Sequence, residues 1–391
     1  MNTWRVVVIV SGTSIGAGML ALPSVTAEAG FGLALVGQMF IYLMALCSGL
    51  YLADACCWMK GDSIHMASVG KHYLGRWGQF GVLIAFLFLY NCLLISYFSG
   101  LYPLVGHVGA SLGGPTEDHF SYMILLACTV GLLLYAGVEA VTSVSTLFML
   151  GLVLSFVWMI FGSLQDVSWS YLRHTRLDAF SLMLPTLLGA FGYHNVVPSV
   201  VQRFQGTRVQ LYRALSVGLL GPFVIYILWQ YVVLGVLPYT QIAQFNQAAA
   251  GVPLVAALQG ASQDNSLVLL MPWFTFFAII TSIIGVGLSL IDFLHDLFAS
   301  YHFRAGRYIY VLLTVVPSAL IGYFYPNLFM KLFAYAAGIG EGLLNIIFPT
   351  VCVICGLYVR GEHSALPRWM THPISFAVII LSSFWIMVLS I

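Results

Sequence analysis

Long hydrophobic runs separated by short polar connections fill most of this 391-residue chain. A membrane-spanning helix needs about 20 mainly apolar residues. Eleven runs approach or exceed that length, so the sequence predicts an all-α polytopic membrane protein with eleven transmembrane helices in a single domain, 1–391. The predicted segments are 5–28, 32–59, 77–106, 119–138, 141–164, 179–203, 211–237, 266–298, 307–324, 327–359 and 373–390. We interpret 266–298 and 327–359 as one long helix each, tilted or broken.

The first run is interrupted by "SGTSIGAGMLALP", residues 11–23. Its Gly-x-Ser-x-Gly pattern is typical of a hydrolase nucleophile elbow around Ser14, and Gly12 and Gly16 also form a Gly-x-x-x-Gly packing motif. An elbow needs a strand, a turn and a helix in a soluble α/β sheet. A packing face leaves Gly18 and Pro23 unexplained. A break in the helix accounts for all of these residues.

The sixth run, "LMLPTLLGAFGYHNVVPSVVQRF", is interrupted in the same way. Gly189, Gly192 and Pro198 stand in an apolar segment, together with the polar pair His194 and Asn195. Main-chain groups freed inside a bilayer are costly unless a ligand, water or a neighbouring helix satisfies them. Two such breaks therefore indicate a polar ligand site at membrane depth.

The two breaks lie five spans apart, in the first and sixth segments. An odd offset gives the two halves opposite orientations in the membrane, which is typical of transporters built from inverted repeats. The expected halves are about 5–164 and 179–359, with an extra helix at about 373–390. The N-terminal ends of the half-helices at each break would attract a carboxylate. The freed carbonyls would attract an ammonium group or a cation.

Composition supports the membrane class, because 61% of the residues are hydrophobic and only 7% are charged. A soluble domain has about 25% charged residues. The formal net charge of +1 gives no sign of nucleic-acid binding. The seven cysteines lie in apolar runs without zinc-ligand spacing, so we expect packing roles, no metal site and no cofactor.

Lysine and arginine positions predict the orientation. With the N-terminus in the cytoplasm, eleven of the 14 basic residues face the cytoplasm and three face outward, as the positive-inside rule requires. The C-terminus then lies outside. The three outward residues are Arg173, Arg176 and Lys331.

Two longer outer connections are expected at about 104–118 and 238–265. The stretch "VPLVAALQGAS" in the second connection is either an amphipathic helix over an external vestibule or an ordinary loop.

Three stretches of the chain resemble the hydroxy/aromatic amino acid permease family, the bacterial tyrosine and tryptophan permeases. They are "GTSIGAGMLALP" (12–23), "FGYHNVVPS" (191–199) and "TSIIGVGLSLIDFLHDLF" (281–298). "NLFMKLFAYAAG" with "IFPT" matches more loosely. The family belongs to the amino acid–polyamine–organocation superfamily with the LeuT fold. The resemblance implies five-plus-five inverted repeats with helices 1 and 6 broken, and proton-coupled amino acid uptake across the inner membrane.

The resemblance also implies which residues bind the substrate. The main chain of the first break would receive the substrate carboxylate, Phe191 and Tyr193 would form a wall or gate over its side chain, and Tyr97 could hydrogen-bond the carboxylate. The full expected set is Thr13, Ser14, Gly16, Ala17, Gly18, Met19, Asn91, Tyr97, Phe191, Gly192, Tyr193, His194 and Asn195.

The coupling ion is left open between a proton and sodium. Met19 replaces the asparagine of one sodium site in sodium-coupled relatives, and a thioether is a poor ligand for Na⁺. A second such site would use carbonyls at Gly12 and Ile15 with hydroxyls of Thr281 and Ser282. That site stays chemically possible.

Proton coupling needs a titratable group at membrane depth, where an ionised side chain is costly. The candidates are His194, Asp292, Glu341, Asp54 and Glu139. His194 lies at a break and has a suitable intrinsic pKa. Asp292 either couples protons or pairs with a basic loop residue, and Asp54 and Glu139 are expected to be hydrated near span ends.

The leading prediction is therefore a symporter that imports an aromatic amino acid, with tyrosine expected and tryptophan or another neutral amino acid as alternatives. A channel would need a continuous polar stripe, whereas the polar residues cluster at two breaks. An intramembrane serine hydrolase using Ser14, with His194 as its base, is the remote alternative. It would need that histidine within reach of the serine hydroxyl.

Overall fold

A computed structural model of the protein describes residues 1–59, 64–111, 119–242, 266–300 and 305–391. These residues form helices joined by turns and contain no β-strand. The first ten α-helices are α1 Thr3–Ser14, α2 Gly18–Thr26, α3 Phe31–Trp58, α4 Met66–Ser111, α5 His119–Ala136, α6 Val138–Ser163, α7 Trp169–Leu172, α8 Phe180–Ala190, α9 Val197–Arg203 and α10 Arg208–Val236. The others are α11 Ser266–Ser300, α12 Arg307–Phe324, α13 Leu328–Tyr335, α14 Phe348–Ile354 and α15 Pro373–Leu389, with π-helical turns at Ala336–Ile347 and Cys355–Val359.

Seven helices in the described ranges are long and apolar enough to cross a membrane, or eight if the bent pair α1 and α2 is one span. Phe120–Ala136 and Pro373–Leu389 are shorter apolar helices. Large apolar side chains such as Leu150, Trp158 and Phe161 on α6 are more than half exposed, as expected of a surface that contacts lipid. The all-helical membrane fold is confirmed, and the count of eleven spans stays a prediction.

Both predicted breaks are present. Helix α1 ends at Ser14, Ile15 is extended, and α2 leaves at 55° to α1. Helix α8 ends at Ala190, and a 3-10 turn at His194–Val196 leads into α9, whose first turn contains Pro198. Proline suits a helix start because its missing N–H has no partner there in any case.

The two long segments are each one continuous helical run, as the sequence predicts. Helix α11 extends over 266–300, and the run from α13 to Val359 is unbroken but widens twice into π-helix. Helix α4 differs from its prediction because helical residues begin at Met66, and a kink at Gly75 with φ of +67° separates this first piece from the predicted span. Only glycine adopts such an angle without strain.

Helix α10 packs against α1 and α3 and begins with a capping box formed by Thr207 and Gln210. In its interior, Gln230 donates a hydrogen bond to Gln38 of α3, and Gln38 donates to the Phe223 carbonyl at 2.8 Å. A buried amide pair of this kind fixes the register of the two helices, because each polar group needs its partner in the apolar interior. The connection "VPLVAALQGAS" lies outside the described residues.

Candidate functional site

A cavity of about 710 Å³ lies where the two helix breaks meet. Helices α1, α2, α4, α6 and α11 line it, together with the main chain after α8 and the π-helical turn at Ala336–Ile347. Ligand pockets for small molecules have volumes of roughly 300–1,000 Å³. The cavity is therefore large enough for an amino acid.

Twelve of the residues that the sequence predicts for substrate or sodium binding line this cavity. They are Gly12, Thr13, Ser14, Ile15, Gly16, Ala17, Gly18, Tyr97, Gly192, Asn195, Thr281 and Ser282. The structure thus brings together the first break, part of the second break, α4 and α11 around one space.

Ser282 of α11 joins the first break directly. The Ala17 N–H donates to Ser282 Oγ at 2.9 Å, and Ser282 Oγ donates to the Ala278 carbonyl at 2.9 Å. A Cβ atom on Gly16 would lie 2.6 Å from the same hydroxyl oxygen, so this approach requires glycine. Of the amides expected to receive a carboxylate, that of Ala17 is already paired in this conformation. Thr281 Oγ1 donates to the Phe277 carbonyl in its own helix at 2.8 Å.

Helix α10 donates hydrogen bonds to main-chain carbonyls at both breaks and in α2. The Tyr226 hydroxyl lies 2.6 Å from the Ser14 carbonyl and 2.8 Å from the Ala190 carbonyl. Trp229 Nε1 donates to the Met19 carbonyl at 2.9 Å. Met19 itself is fully buried and does not line the cavity, because it stands on the face of α2 that α10 covers.

The aromatic residues of the second break are directed away from the cavity, toward α3. The Phe191 ring packs against Tyr42 and Tyr226, and the Tyr193 hydroxyl donates to the Ala45 carbonyl at 3.2 Å. Tyr193 also fills the space that the missing side chain of Gly49 leaves. Neither ring therefore forms a cavity wall in this conformation.

His194 also faces α3. Its Nε2 atom is 2.8 Å from Ser48 Oγ, and the side chain is fully buried. Ser14 Oγ instead donates to the Val10 carbonyl within its own helix at 3.1 Å. Ser14 and His194 therefore do not form the nucleophile–base pair that an intramembrane hydrolase needs, because each side chain hydrogen-bonds a different partner.

On α4 the cavity face follows helical spacing. Phe86, Tyr90, Leu93 and Tyr97 line the cavity at intervals of three or four residues, as one face of a helix does. Asn91 stands one position beyond this face, and its Nδ2 donates to the Leu87 carbonyl at 2.8 Å. Tyr97 is thus placed at the cavity and Asn91 is not.

Asp292 lies outside the cavity, and Asp54 is placed differently from expectation. Asp292 is exposed and does not line the cavity, whereas Ser289, one turn earlier on α11, does. Asp54 is fully buried rather than hydrated, and the hydroxyls of Tyr212 and Ser364 donate to its carboxylate. The expectation of hydration was wrong because loop 361–372 covers that end of α3. The Glu139 side chain lies outside the described residues.

Glu341, one of the acidic residues that the sequence offers as a proton-coupling candidate, lines the cavity, and so does Asn345, which sequence reasoning did not assign to the site. Asn345 Nδ2 donates to Glu341 Oε2, one turn away in the π-helical segment. Glu341 was recognisable only as an acidic residue at membrane depth. Glu341 lies beside Gly192, about 150 positions away in the sequence, and no local sequence pattern predicts this contact.

One face of the molecule is closed by contacts between the turn after α2 and the segment after α7. His174 Nε2 lies 2.8 Å from the Glu28 carbonyl oxygen, and the Arg176 N–H donates to the Ala29 carbonyl at 3.1 Å. The Arg176 side chain lies 3.7 Å from Glu28 and hydrogen-bonds Asp178 at 2.7 Å. That hydrogen bond lowers the pKa of Asp178.

Comparisons with known proteins agree with this geometry. The sequence profile of the tryptophan/tyrosine permease family matches residues 1–391. The tyrosine-specific transport system 2 of Haemophilus influenzae is 27% identical over 372 residues, which cover 94% of this chain and 90% of that protein. A tryptophan-specific transport protein of Pseudomonas aeruginosa is 31% identical and covers 88% of this chain, with 84% of its own length matched. The low affinity tryptophan permease of Escherichia coli is 29% identical, covering 90% of this chain and 86% of its own length.

The match over the whole chain, the multi-span helical fold and the cavity at two broken helices all agree. The protein is a membrane transporter and not an enzyme, and the chain belongs to the tryptophan/tyrosine permease family.

Proposed function

We propose that the protein is a secondary active symporter that imports an aromatic amino acid, coupled to protons, by alternating access. The observation that carries this proposal is the meeting of both helix breaks at one cavity of about 710 Å³. Broken helices at corresponding places in two halves are the strongest pointer to a transporter binding site.

The substrate carboxylate binds at the main chain of Gly16 and Gly18, with the Tyr97 hydroxyl as a further donor. Positive helix ends attract anions, and glycine lets a ligand approach the main chain closely. The ammonium group of the substrate binds near main-chain carbonyls that the breaks leave free. The aromatic ring of the substrate packs on the α4 face that contains Phe86 and Tyr90.

Tyrosine is the proposed substrate, and tryptophan is the alternative to be tested. Tyr90 lies close to Asn195 and Ser289, which gives the aromatic end of the cavity polar groups for a phenol hydroxyl. A site built to hydrogen-bond a hydroxyl rejects an analogue without it far more strongly than an apolar pocket does.

The fold is proposed to be the LeuT type, with repeats at about 5–164 and 179–359 and the extra helix at about 373–390. Support comes from the break between α1 and α2 and the break between α8 and α9, which lie at matching places in the two repeats. The protein is placed in the bacterial inner membrane with the N-terminus in the cytoplasm and the C-terminus in the periplasm.

In this orientation the conformation is inward-facing. The cavity continues along α1 to Val8 and to Met66 at the start of α4, both at the cytoplasmic end. The opposite end is closed by the contacts of Arg176 and His174 with the turn at 27–30. Alternating access then requires those outer contacts to separate.

A proton is the proposed coupling ion, and sodium is the alternative. The carbonyl of Met19 accepts from Trp229, which occupies one of its two acceptor positions, and the Met19 thioether is a poor ligand for Na⁺. Ser282 Oγ already accepts one hydrogen bond and donates another, which leaves it a single acceptor position. Thr281 and Ser282 nevertheless line the cavity with Gly12 and Ile15, so sodium needs a direct test.

Uptake by purified protein in proteoliposomes tests the proposal. Labelled tyrosine, tryptophan, serine and leucine are supplied with an imposed proton gradient or, separately, with an imposed sodium gradient at constant pH. We expect tyrosine to accumulate with the proton gradient alone. Strict dependence on sodium would assign coupling to Thr281 and Ser282. Accumulation of serine or leucine without tyrosine or tryptophan would exclude an aromatic substrate.

A further inference from the structure

Glu341 is a buried carboxyl group in the wall of the cavity, in contact with the second helix break. A Cβ atom on Gly192 would lie 2.7 Å from Glu341 Oε1 and 3.2 Å from its Cδ atom. A side chain at position 192 would therefore displace the carboxyl group. Glu341 is 7% exposed and stands next to the main chain that changes direction between α8 and α9.

No basic side chain pairs with Glu341 among the described residues, where the ion pairs join Arg176 or Arg208 to other acids. The titratable groups near it on α4 are the hydroxyls of Tyr90 and Tyr97. Helices α3, α13 and α14 also pack on this segment, and none of their titratable side chains forms an ion pair or a hydrogen bond with Glu341 among the described residues. Helix α15, which also packs on this segment, contains no titratable side chain, and α8 presents Gly192. An ionised carboxylate in such surroundings depends on neutral donors alone.

Asn345 can support Glu341 in either protonation state. Its Nδ2 atom contacts Glu341 Oε2, and its buried Oδ1 has no hydrogen-bond partner in the described structure. When Glu341 is ionised, the amide nitrogen donates to it. When Glu341 is protonated, an amide flip lets Oδ1 accept the carboxyl proton, since the two ends of an asparagine side chain have nearly the same shape.

The local backbone is also unusual, because Glu341 lies within the π-helical turn at Ala336–Ile347. π-Helical turns are rare and occur frequently at functional sites. The turn widens the helix beside the cavity and places Glu341 and Asn345 together on its wall. His194, in contrast, is turned toward Ser48 of α3 and is absent from the cavity wall.

We infer that Glu341 is the group that binds the transported proton, an inference that rests on the proposed proton symport. Without substrate, Asn345 donates to the ionised carboxylate, which borders the open cavity. Substrate that fills the cavity excludes water from Glu341, and loss of water disfavours an ionised carboxylate. Closure around the substrate then requires a proton on Glu341, which couples the two fluxes reciprocally.

The decisive variant is Glu341→Gln, which keeps the size and hydrogen-bonding ability of the side chain but cannot titrate. We expect tyrosine counterflow exchange to survive, because exchange needs no net proton movement, and uphill accumulation driven by a proton gradient to be lost. His194→Gln is the matched control, and it should keep the wild-type ratio of uptake to exchange. Proton-driven accumulation by Glu341→Gln at its wild-type ratio to exchange would overturn the inference.

The outcome for wild type separates this inference from the proposed function. If wild-type protein does not respond to the proton gradient, proton symport itself fails. If wild type responds and Glu341→Gln responds equally, only the assignment of Glu341 fails.

A second variant keeps the test decisive if Glu341→Gln does not fold. Glu341→Asp retains a carboxyl group but withdraws it from Gly192 and Asn345. Its tyrosine binding should remain pH-dependent with a shifted midpoint, measured by titration calorimetry in buffers of different ionisation enthalpy, which also counts the protons taken up. A midpoint and proton uptake identical to those of wild type would contradict a role for Glu341.

Discussion

The hydroxyl of Tyr226 lies 2.6 Å from the main-chain carbonyl of Ser14, where the first broken helix ends. The same hydroxyl is 2.8 Å from the carbonyl of Ala190, where the second break begins. A phenol has a single proton, so it donates to one of these carbonyls at a time. One side chain of α10 thus connects the two breaks that form the cavity.

Replacing Tyr226 with phenylalanine should weaken both breaks together. The residue is fully buried, and leaving a buried carbonyl without its donor costs about 1–3 kcal/mol. We expect a lower thermal stability in detergent and weaker tyrosine binding, measured by light-scattering melts and calorimetry. Tyr231→Phe on the same helix is the control, since its ring packs against Phe31 and Trp169 near the C-terminal end of α10. If both variants lose stability and tyrosine binding to the same extent, Tyr226 has no special role at the two breaks.

Gly16→Ala should disrupt the first break, because the new methyl group would lie 2.6 Å from Ser282 Oγ. Either Ser282 moves and loses the hydrogen bond from the Ala17 N–H, or the main chain at the break shifts. Gly12→Ala is the matched control, since its Cβ would meet nothing within 4 Å. Tyrosine binding should fall in the first variant and persist in the second.

A double-mutant cycle makes the Gly16 result specific. Ser282→Ala removes the clashing hydroxyl, so Gly16→Ala combined with Ser282→Ala should lose less affinity than the sum of the single variants. Simple additivity of the two changes would show that this contact is not responsible.

Gly285→Phe should fill the cavity without disturbing the fold. Gly285 lines the cavity, and a Cβ there would have nothing within 4 Å. We expect loss of tyrosine binding with an unchanged melting temperature, whereas Gly285→Ala should bind nearly as wild type does. Gly18→Val is a poorer test, because its Cβ would already lie 3.1 Å from the Ala190 Cα and would damage packing as well. Retained affinity in Gly285→Phe would place the substrate elsewhere.

Ser14→Ala distinguishes a transporter from a serine hydrolase. The Ser14 hydroxyl donates only within its own helix, to Val10, so its loss should weaken stability or binding by about 1 kcal/mol. Transport should persist with modestly weaker affinity, measured as tyrosine uptake at several concentrations. Abolished turnover with intact substrate binding would instead favour a nucleophile.

The sequence alone determined where the helices break. Gly16 and Gly18 stand at the junction of α1 and α2, and glycine weakens a helix, so the first break follows from local backbone chemistry, whereas Gly12 and Pro23 remain inside α1 and α2. The same holds for Gly192 and the second break. The membrane class was equally determined, because too few polar residues exist to cover a water-soluble surface.

Side-chain direction within the second break was decided only by the tertiary structure. In a regular helix the spacing of residues fixes the face they share, as Tyr90 and Tyr97 show on α4. After Ala190 the main chain is not helical, and Tyr193 has φ of −133° and ψ of −1°. No periodic pattern then tells which residues face the cavity, and packing against Gly49 and Ser48 of α3 turns Tyr193 and His194 away from it.

The position of Glu341 beside Gly192 was likewise a product of the fold. The sequence supplies an acidic residue at membrane depth and a glycine at a break, about 150 residues apart, with nothing local to join them. Their contact depends on how the π-helical turn at Ala336–Ile347 packs against α8. Local chemistry therefore determined where the chain bends, and long-range packing decided which side chains meet at the bend.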